Sequence, residues 1–161
     1  MCDAPDTTVV HVPPGFTGPS ESGNKPTFWG PRKRLCSRTG FNLCIAPTGK
    51  VYGTYKESDK NANLVLESAS PGIVSIRGEE SNLYLGFNNK GRLVGMAALG
   101  EECLFEERIL PIMYSVYLSH KYADKHWYIA INRRGKARNG KRTRLEKKSS
   151  HFLPREITDG V

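Results

Sequence analysis

Apolar and polar residues alternate in three separated stretches of the chain, residues 42–53, 84–95 and 128–140. Each stretch begins with two apolar residues at alternate positions, continues through a polar turn that ends in glycine, and closes with a second short extended run. Alternation places the apolar side chains on one face of a strand, and the glycine supplies the positive φ that a tight hairpin loop needs. The pattern therefore predicts three β-hairpins.

The hairpins recur at a nearly constant spacing, because the turn glycines Gly49, Gly91 and Gly135 are 42 and 44 residues apart. Further strand-like runs lie at 64–66, 74–76, 103–105, 116–118 and 151–153. A repeat of this length also occurs in propellers, but those normally have about four to eight blades. We predict an all-β fold, a β-trefoil of about twelve strands in three pseudo-repeats of about 42 residues. The alternative is chance similarity among the hairpins of an unrelated β protein.

The chain of 161 residues is expected to form one domain. We predict that this domain spans residues 32–157, between a disordered leader at 1–31 and a C-terminal tail at 158–161. The leader is rich in Pro, Gly, Ser and Thr, a composition that buries too little apolar surface to fold alone. We see no apolar run typical of a secretory signal peptide. No run reaches the ~18 consecutive apolar residues that a membrane span needs.

The excess positive charge is concentrated in one segment. The formal net charge is +8, and residues 132–148 hold nine basic residues against one acid, Glu146, whereas the rest of the chain holds 15 of each sign. This imbalance favours a dedicated site for a polyanion over the alternative of a solvated charged loop. No aromatic residue lies between Ile129 and His151. Because single-stranded nucleic acids are bound by stacking on aromatic rings, this segment is a poor fit for that class of polyanion.

The cysteines and histidines do not indicate a metal or catalytic site. Cys2, Cys36, Cys44 and Cys103 are too irregularly spaced for a dense disulfide framework, and we expect mostly free, buried thiols. The four histidines show no ligand spacing, so no metal and no other cofactor is expected. Nucleophile elbows, phosphate-binding loops and zinc-protease motifs are absent from the sequence. We therefore expect no catalytic residues and no enzymatic activity.

Residues 95–108, Gly-Met-Ala-Ala-Leu-Gly-Glu-Glu-Cys-Leu-Phe-Glu-Glu-Arg, followed by Tyr114, resemble the signature of the fibroblast growth factor family. The resemblance extends from about Lys33 to Ile157 and includes Trp-Tyr-Ile-Ala-Ile at 127–131 and His-Phe-Leu-Pro at 151–154. It implies a β-trefoil signalling ligand that dimerises receptor tyrosine kinases, with heparan sulfate or heparin as co-ligand.

The family's glycan-binding segment carries a glycine box, and this chain keeps its spacing at Gly135, Gly140 and Thr143. Tight turns present backbone N–H groups, while Arg and Lys side chains meet sulfate oxygens. By resemblance, the heparin-binding residues are Asn132, Arg133, Lys136, Arg138, Lys141, Arg142, Thr143, Lys147 and Lys148.

The resemblance also implies a receptor-binding surface. Its residues would be Leu35, Tyr55, Glu107, Ile112, Tyr114, Leu153 and Arg155. An apolar patch with a few charged groups can both anchor and orient a partner. The chain departs from the family at two of these positions, since Leu35 stands where an aromatic residue is common and Ile112 where Asn is common.

Two functions remain open on this resemblance. The first is a heparan-sulfate-binding growth factor that activates a fibroblast growth factor receptor, with the receptor and a heparan sulfate proteoglycan as partners. The second is an intracellular trefoil of the homologous-factor type, which binds cytoplasmic partners such as ion-channel tails. We expect the first, with extracellular localisation by non-classical export, a conceivable cytoplasmic or nuclear pool, and no membrane insertion. A basic domain that binds only nucleic acid is the disfavoured third option.

Overall fold

The structure is a computed structural model that describes residues 32–157. The predicted leader and C-terminal tail lie outside the described residues. Ten strands occur in this range: β1 Arg32–Ser37, β2 Asn42–Ile45, β3 Val51–Thr54, β4 Leu64–Ser70, β5 Ile73–Gly78, β6 Tyr84–Phe87, β7 Leu93–Met96, β8 Leu104–Ile109, β9 Ser115–Ser119 and β10 Phe152–Glu156. Short 3₁₀ turns occur at Lys60–Ala62, Glu101–Cys103, Ala123–Lys125, Gly140–Arg142 and Lys148–Ser150.

Six strands close into a barrel through antiparallel pairs. β1 pairs with β10, β10 with β9, β9 with β8, β8 with β5, β5 with β4, and β4 again with β1. Closure pairs both edges of each barrel strand, so no barrel edge is left open. Two hairpins, β2–β3 and β6–β7, project from this barrel.

Three hairpins cap the barrel and are joined in a ring. The backbone N–H of Gly95 donates to Gly49 O at 2.8 Å, that of Gly140 to Gly91 O at 2.7 Å, and that of Gly53 to Gly135 O at 2.8 Å. The accepting residue is the turn glycine of each repeat, and its φ lies between 81° and 91°. Each hairpin turn is therefore hydrogen-bonded to the second arm of another hairpin, as the threefold repeat of a β-trefoil requires.

The third hairpin differs from the prediction, and the described residues form ten strands rather than twelve. Its two arms share one isolated bridge, Ile131 to Ala137, beside a backbone hydrogen bond from the N–H of Arg138 to Ala130 O at 2.9 Å. Four residues lie between Gly135 and Gly140, whereas three lie between the equivalent glycines of the other two repeats. The chain then enters the 3₁₀ turn Gly140–Arg142 instead of continuing a ladder. The third repeat thus has one additional residue between its two glycines. We attribute the missing ladder between the two arms of this hairpin to that inserted residue.

The core draws equivalent residues from all three repeats. The alternating apolar pairs predicted from the sequence are fully buried: Leu43 and Ile45, Leu85 and Phe87, and Ile129 and Ile131. They belong to one cluster with Phe105, Tyr117, Trp127 and Phe152. The alternation on which the three hairpins were predicted therefore marks the core face.

The cysteines follow the expectation in part. Cys44 and Cys103 are buried free thiols, and burial raises the pKa of the Cys44 thiol to about 12. Cys36 is disulfide-bonded. The sequence alone leaves the state of this thiol open.

Candidate functional site

The basic segment, residues 132–148, starts with a tight turn that an asparagine side chain holds. Asn132 Oδ1 accepts hydrogen bonds from the backbone N–H groups of Arg134 at 2.8 Å and Lys136 at 3.0 Å. The backbone N–H of Gly135 donates to Asn132 O at 3.0 Å. Asn132 was predicted to contact the glycan, and its side-chain oxygen is used to shape the turn that carries the neighbouring cations.

The glycine box forms a second tight turn, which a buried threonine fixes in place. Thr143 Oγ1 donates to Gly140 O at 2.8 Å and accepts from the backbone N–H of Tyr128 at 2.9 Å. A Cβ on Gly140 would lie 2.7 Å from Trp127 Cγ, so the backbone approaches the indole as closely as only glycine allows. Because the Thr143 hydroxyl is buried and occupied, this residue positions the turn rather than facing a ligand.

The cations of the basic segment project into solvent. Arg138 is half-buried, and its Nη2 donates to Arg142 O at 3.3 Å. The other predicted glycan-binding cations are exposed: Arg133, Lys136, Lys141, Arg142, Lys147 and Lys148. Among residues 32–157, no ion pair involves a basic residue of the segment. The segment therefore presents positive charge that no carboxylate of the described chain neutralises by direct contact.

A buried histidine anchors the end of the basic segment. His151 Nε2 donates to Leu145 O at 2.7 Å, which leaves Nδ1 to accept from Arg38 Nη1 at 3.0 Å. These two bonds assign the neutral tautomer with the proton on Nε2. The Arg38 guanidinium lies 4.9 Å from the centre of the Tyr114 ring. Arg38 and His151, which were not predicted as site residues, thus connect the basic segment to the predicted receptor-binding Tyr114.

Two of the predicted receptor-binding residues are not on the surface. Leu35 is 0% exposed and Leu153 is 2% exposed. They lie on the paired strands β1 and β10, and Leu35 belongs to the main hydrophobic cluster. A side chain that packs in the core offers a partner little surface. Receptor contact by Leu35 and Leu153 stays a prediction, and the burial of both side chains argues against it.

Glu107 already has a partner inside the fold. The hydroxyl of the fully buried Tyr117 donates to Glu107 Oε2 at 2.8 Å. Burial raises the pKa of Tyr117 well above its usual value, and the nearby Glu107 carboxylate raises it further. Glu107 is half-buried, and one of its carboxylate oxygens accepts the hydrogen bond of a core hydroxyl. Any role of Glu107 in receptor binding therefore depends on its other carboxylate oxygen and on the remaining lone pair of Oε2.

The other predicted receptor-binding residues reach the surface. Tyr55 is 69% exposed and Ile112 is 50% exposed. Tyr114 is half-buried, and its ring centre lies 6.2 Å from that of His151. Arg155 Nη2 lies 3.8 Å from Glu57 Oε2. Since β10 pairs with β9 at Phe152 and Ser115, Tyr114 lies beside the residues that follow the basic segment.

The described residues show no other candidate centre. Within residues 32–157, no group of three or more His, Cys, Asp and Glu side chains could hold a metal ion. In the same range, no helix is long and apolar enough to cross a membrane. An open cleft of about 510 Å³ is lined in part by Glu106, His126 and Arg144. In this cleft, Glu106 pairs with Arg108 at 2.7 Å.

Comparison with known proteins gives a consistent family. The family model described as fibroblast growth factor matches residues 31–153. Fibroblast growth factor 2 of Xenopus laevis is 37% identical over 145 residues, which cover 86% of this chain and 92% of the relative. The protein of the same name from Gallus gallus is 38% identical over 127 residues, 79% of each chain. That from Monodelphis domestica is 39% identical over 127 residues, 79% of this chain and 80% of the relative. The chain belongs to the fibroblast growth factor family and is a signalling growth factor rather than an enzyme.

Proposed function

We propose that this growth factor binds heparan sulfate through its basic segment and, with that glycan as co-ligand, activates a fibroblast growth factor receptor tyrosine kinase from outside the cell. The observation that carries the proposal is the charge of the segment: nine basic residues against one acid, with no ion pair to any of them among residues 32–157. The proposal includes export of the protein from the cell by a non-classical route.

The two turns of the segment suit a sulfated ligand because they are already formed. Asn132 shapes the first turn and Thr143 the second, so the cations between them need little further ordering of the backbone. Arg presents paired donors to a sulfate, whereas Lys acts as a compact point charge. Preorganised donors lose less conformational entropy on binding than donors on a mobile loop. The segment therefore supports affinity through both charge and rigidity.

The receptor-binding surface in this proposal consists of exposed and half-buried residues, most of them near strands β8 to β10, together with Tyr55 after β3. Ile112 and its neighbour Met113, which is 53% exposed, form an apolar turn between β8 and β9. Tyr114 follows that turn, and Arg155 lies on β10. Tyr55 packs on Phe41 with ring centres 4.3 Å apart. Such a surface offers apolar anchors beside a charged group, as specific interfaces of moderate size do.

The glycan part is tested by comparing elution of the full chain from heparin and from a simple sulfonated cation exchanger at the same pH. Glycan recognition predicts that heparin retains the protein to a higher salt concentration than the exchanger does. The logarithm of the affinity should also fall linearly with the logarithm of the salt concentration, because bound Lys and Arg side chains displace counterions from the polyanion. Elution from heparin no later than from the exchanger would contradict glycan binding. A DNA column run in parallel separates glycan from nucleic-acid recognition.

A further inference from the structure

A cation follows the turn glycine in each of the three repeats. These residues are Lys50, Arg92 and Lys136, and all three are exposed. The next residue in each repeat turns inward: Val51 and Leu93 are buried, and Ala137 packs against the core. Because successive side chains of extended backbone point to opposite faces, the cations point away from the barrel.

Strand register places these cations near each other. Lys50 is bridged to Val94, and Tyr52 is bridged to Lys136. Arg92 lies two residues before Val94, and Lys50 lies two residues before Tyr52, so Lys50 is a diagonal cross-strand neighbour of both Arg92 and Lys136. Diagonal neighbours on one face are about 7–8 Å apart, within reach of long side chains.

The third side of the ring is closed by contacts between repeats two and three. The backbone N–H of Gly140 donates to Gly91 O at 2.7 Å. Asn139 Nδ2 donates to Lys90 O at 3.1 Å. These bonds hold the turn that carries Lys90 and Arg92 against the glycine box of the basic segment. The cap therefore joins turns that are some 40 residues apart in sequence.

No acid accompanies these cations. The turns 46–50, 88–92 and 132–136 contain no Asp or Glu. Among the described residues, no ion pair involves Lys50, Lys90 or Arg92. Arg133 and Arg134 add two more exposed cations to the third turn. Like charges on neighbouring positions repel one another, and a bound polyanion relieves that repulsion.

We infer that the cap cations, defined as Lys50, Lys90, Arg92, Arg133, Arg134 and Lys136, form a second subsite for sulfated glycan that extends the basic segment across repeats one and two. The inference rests on the proposed glycan binding and deepens it. Three of the cap cations, Arg133, Arg134 and Lys136, also belong to the basic segment. One glycan chain long enough to pass them therefore reaches Lys50 and Arg92. Short oligosaccharides occupy only the basic segment.

The test uses the full chain with the double substitution Lys50→Gln and Arg92→Gln, which lie outside the basic segment. Affinity is measured for size-fractionated heparin oligosaccharides, from short fragments to long chains. We expect unchanged affinity for the short fragments and at least a fivefold loss for the long chains. For long chains, the slope of log affinity against log salt should become shallower by about two units, one for each cation removed.

The matched control is the double substitution Lys56→Gln and Lys60→Gln, which removes the same charge from exposed residues beside Glu57 and Asp59. Equal melting temperatures without glycan show that both variants fold. Equal affinity of the cap variant and the control at every oligosaccharide length would overturn the cap subsite while leaving the proposed function intact. A loss that is the same for short and long fragments, or for DNA, would also overturn it. Failure of the unsubstituted protein to bind heparin would overturn both.

Discussion

The backbone N–H of Gly140, in the glycine box of repeat three, donates to the carbonyl of Gly91, in the hairpin turn of repeat two, at 2.7 Å. The equivalent bonds from Gly95 to Gly49 and from Gly53 to Gly135 complete a ring. One glycine at each junction is the turn residue with positive φ, and the other lies where a side chain has no room. The contacts that close the trefoil cap thus also position the glycine box.

Gly140 provides a sharp test of this geometry. The Gly140→Ala substitution places a methyl group 2.7–2.8 Å from three atoms of Trp127, among them the ring atoms Cγ and Cδ2. Since the buried indole has little space to move, we expect the free energy of unfolding to fall by about 1–3 kcal/mol, measured by urea denaturation.

The control for this measurement is Gly100→Ala. The new methyl group there would approach only the carboxylate end of the flexible Glu102 side chain, so the change should stay within about 0.5 kcal/mol. A similar loss in both variants would show that Trp127 does not enforce glycine at position 140.

Tyr117 should contribute a measurable pH dependence. Its pKa is raised above the usual value of about 10, first by burial and then by the Glu107 carboxylate. A raised folded pKa means that the contribution to stability is complete below about pH 10 and is lost as the pH rises through the folded pKa. We therefore expect the free energy of unfolding to decline above about pH 10.

The Tyr117→Phe substitution removes part of that decline and costs about 1 kcal/mol at neutral pH, because Glu107 loses a hydrogen bond. The decline does not vanish, since burial also raises the pKa values of Tyr52 and Cys44 to about 12. Tyr55→Phe, at an exposed position, is the control. If Tyr117→Phe and the unsubstituted chain lost stability in parallel from pH 8 to 11, the assigned role of Tyr117 would be refuted.

Substitutions in the basic segment should lower the affinity for heparin without lowering the stability of the fold. Arg138→Ala combined with Lys148→Ala removes two cations that make no ion pair among the described residues. We expect heparin affinity to fall about tenfold, or about 1.4 kcal/mol, as measured by titration at fixed salt. The melting temperature without glycan should stay nearly constant. A large drop in melting temperature with unchanged affinity would instead assign these residues a structural role.

The sequence predicts the fold well because the trefoil is built from local patterns. Alternation and turn glycines identify the hairpins at 42–53 and 84–95, which form β2–β3 and β6–β7. The third hairpin is less regular because its one-residue insertion and the 3₁₀ turn Gly140–Arg142 interrupt the ladder. A single inserted residue in a short polar segment leaves the hydrophobic pattern unchanged, so the pattern cannot reveal this loss.

The candidate site is less predictable because it depends on contacts between distant segments. The resemblance assigns Leu35 and Leu153 to a receptor-binding surface, but it does not give the direction of their side chains, which are buried. The bond between Arg38 and His151 joins residues 113 apart in sequence. Likewise, Lys50 and Arg92 become neighbours only through the ring of hairpins, which no local pattern encodes.

The most direct test of the account is receptor phosphorylation on intact cells that lack heparan sulfate but carry a fibroblast growth factor receptor. We predict that added protein triggers phosphorylation only when heparin is supplied. The Lys141→Gln and Lys148→Gln double variant should need more heparin for the same response, whereas Lys56→Gln with Lys60→Gln should not. Equal phosphorylation with and without heparin would contradict the proposed role of the glycan. No phosphorylation even with heparin would contradict receptor activation and favour an intracellular trefoil that binds cytoplasmic partners.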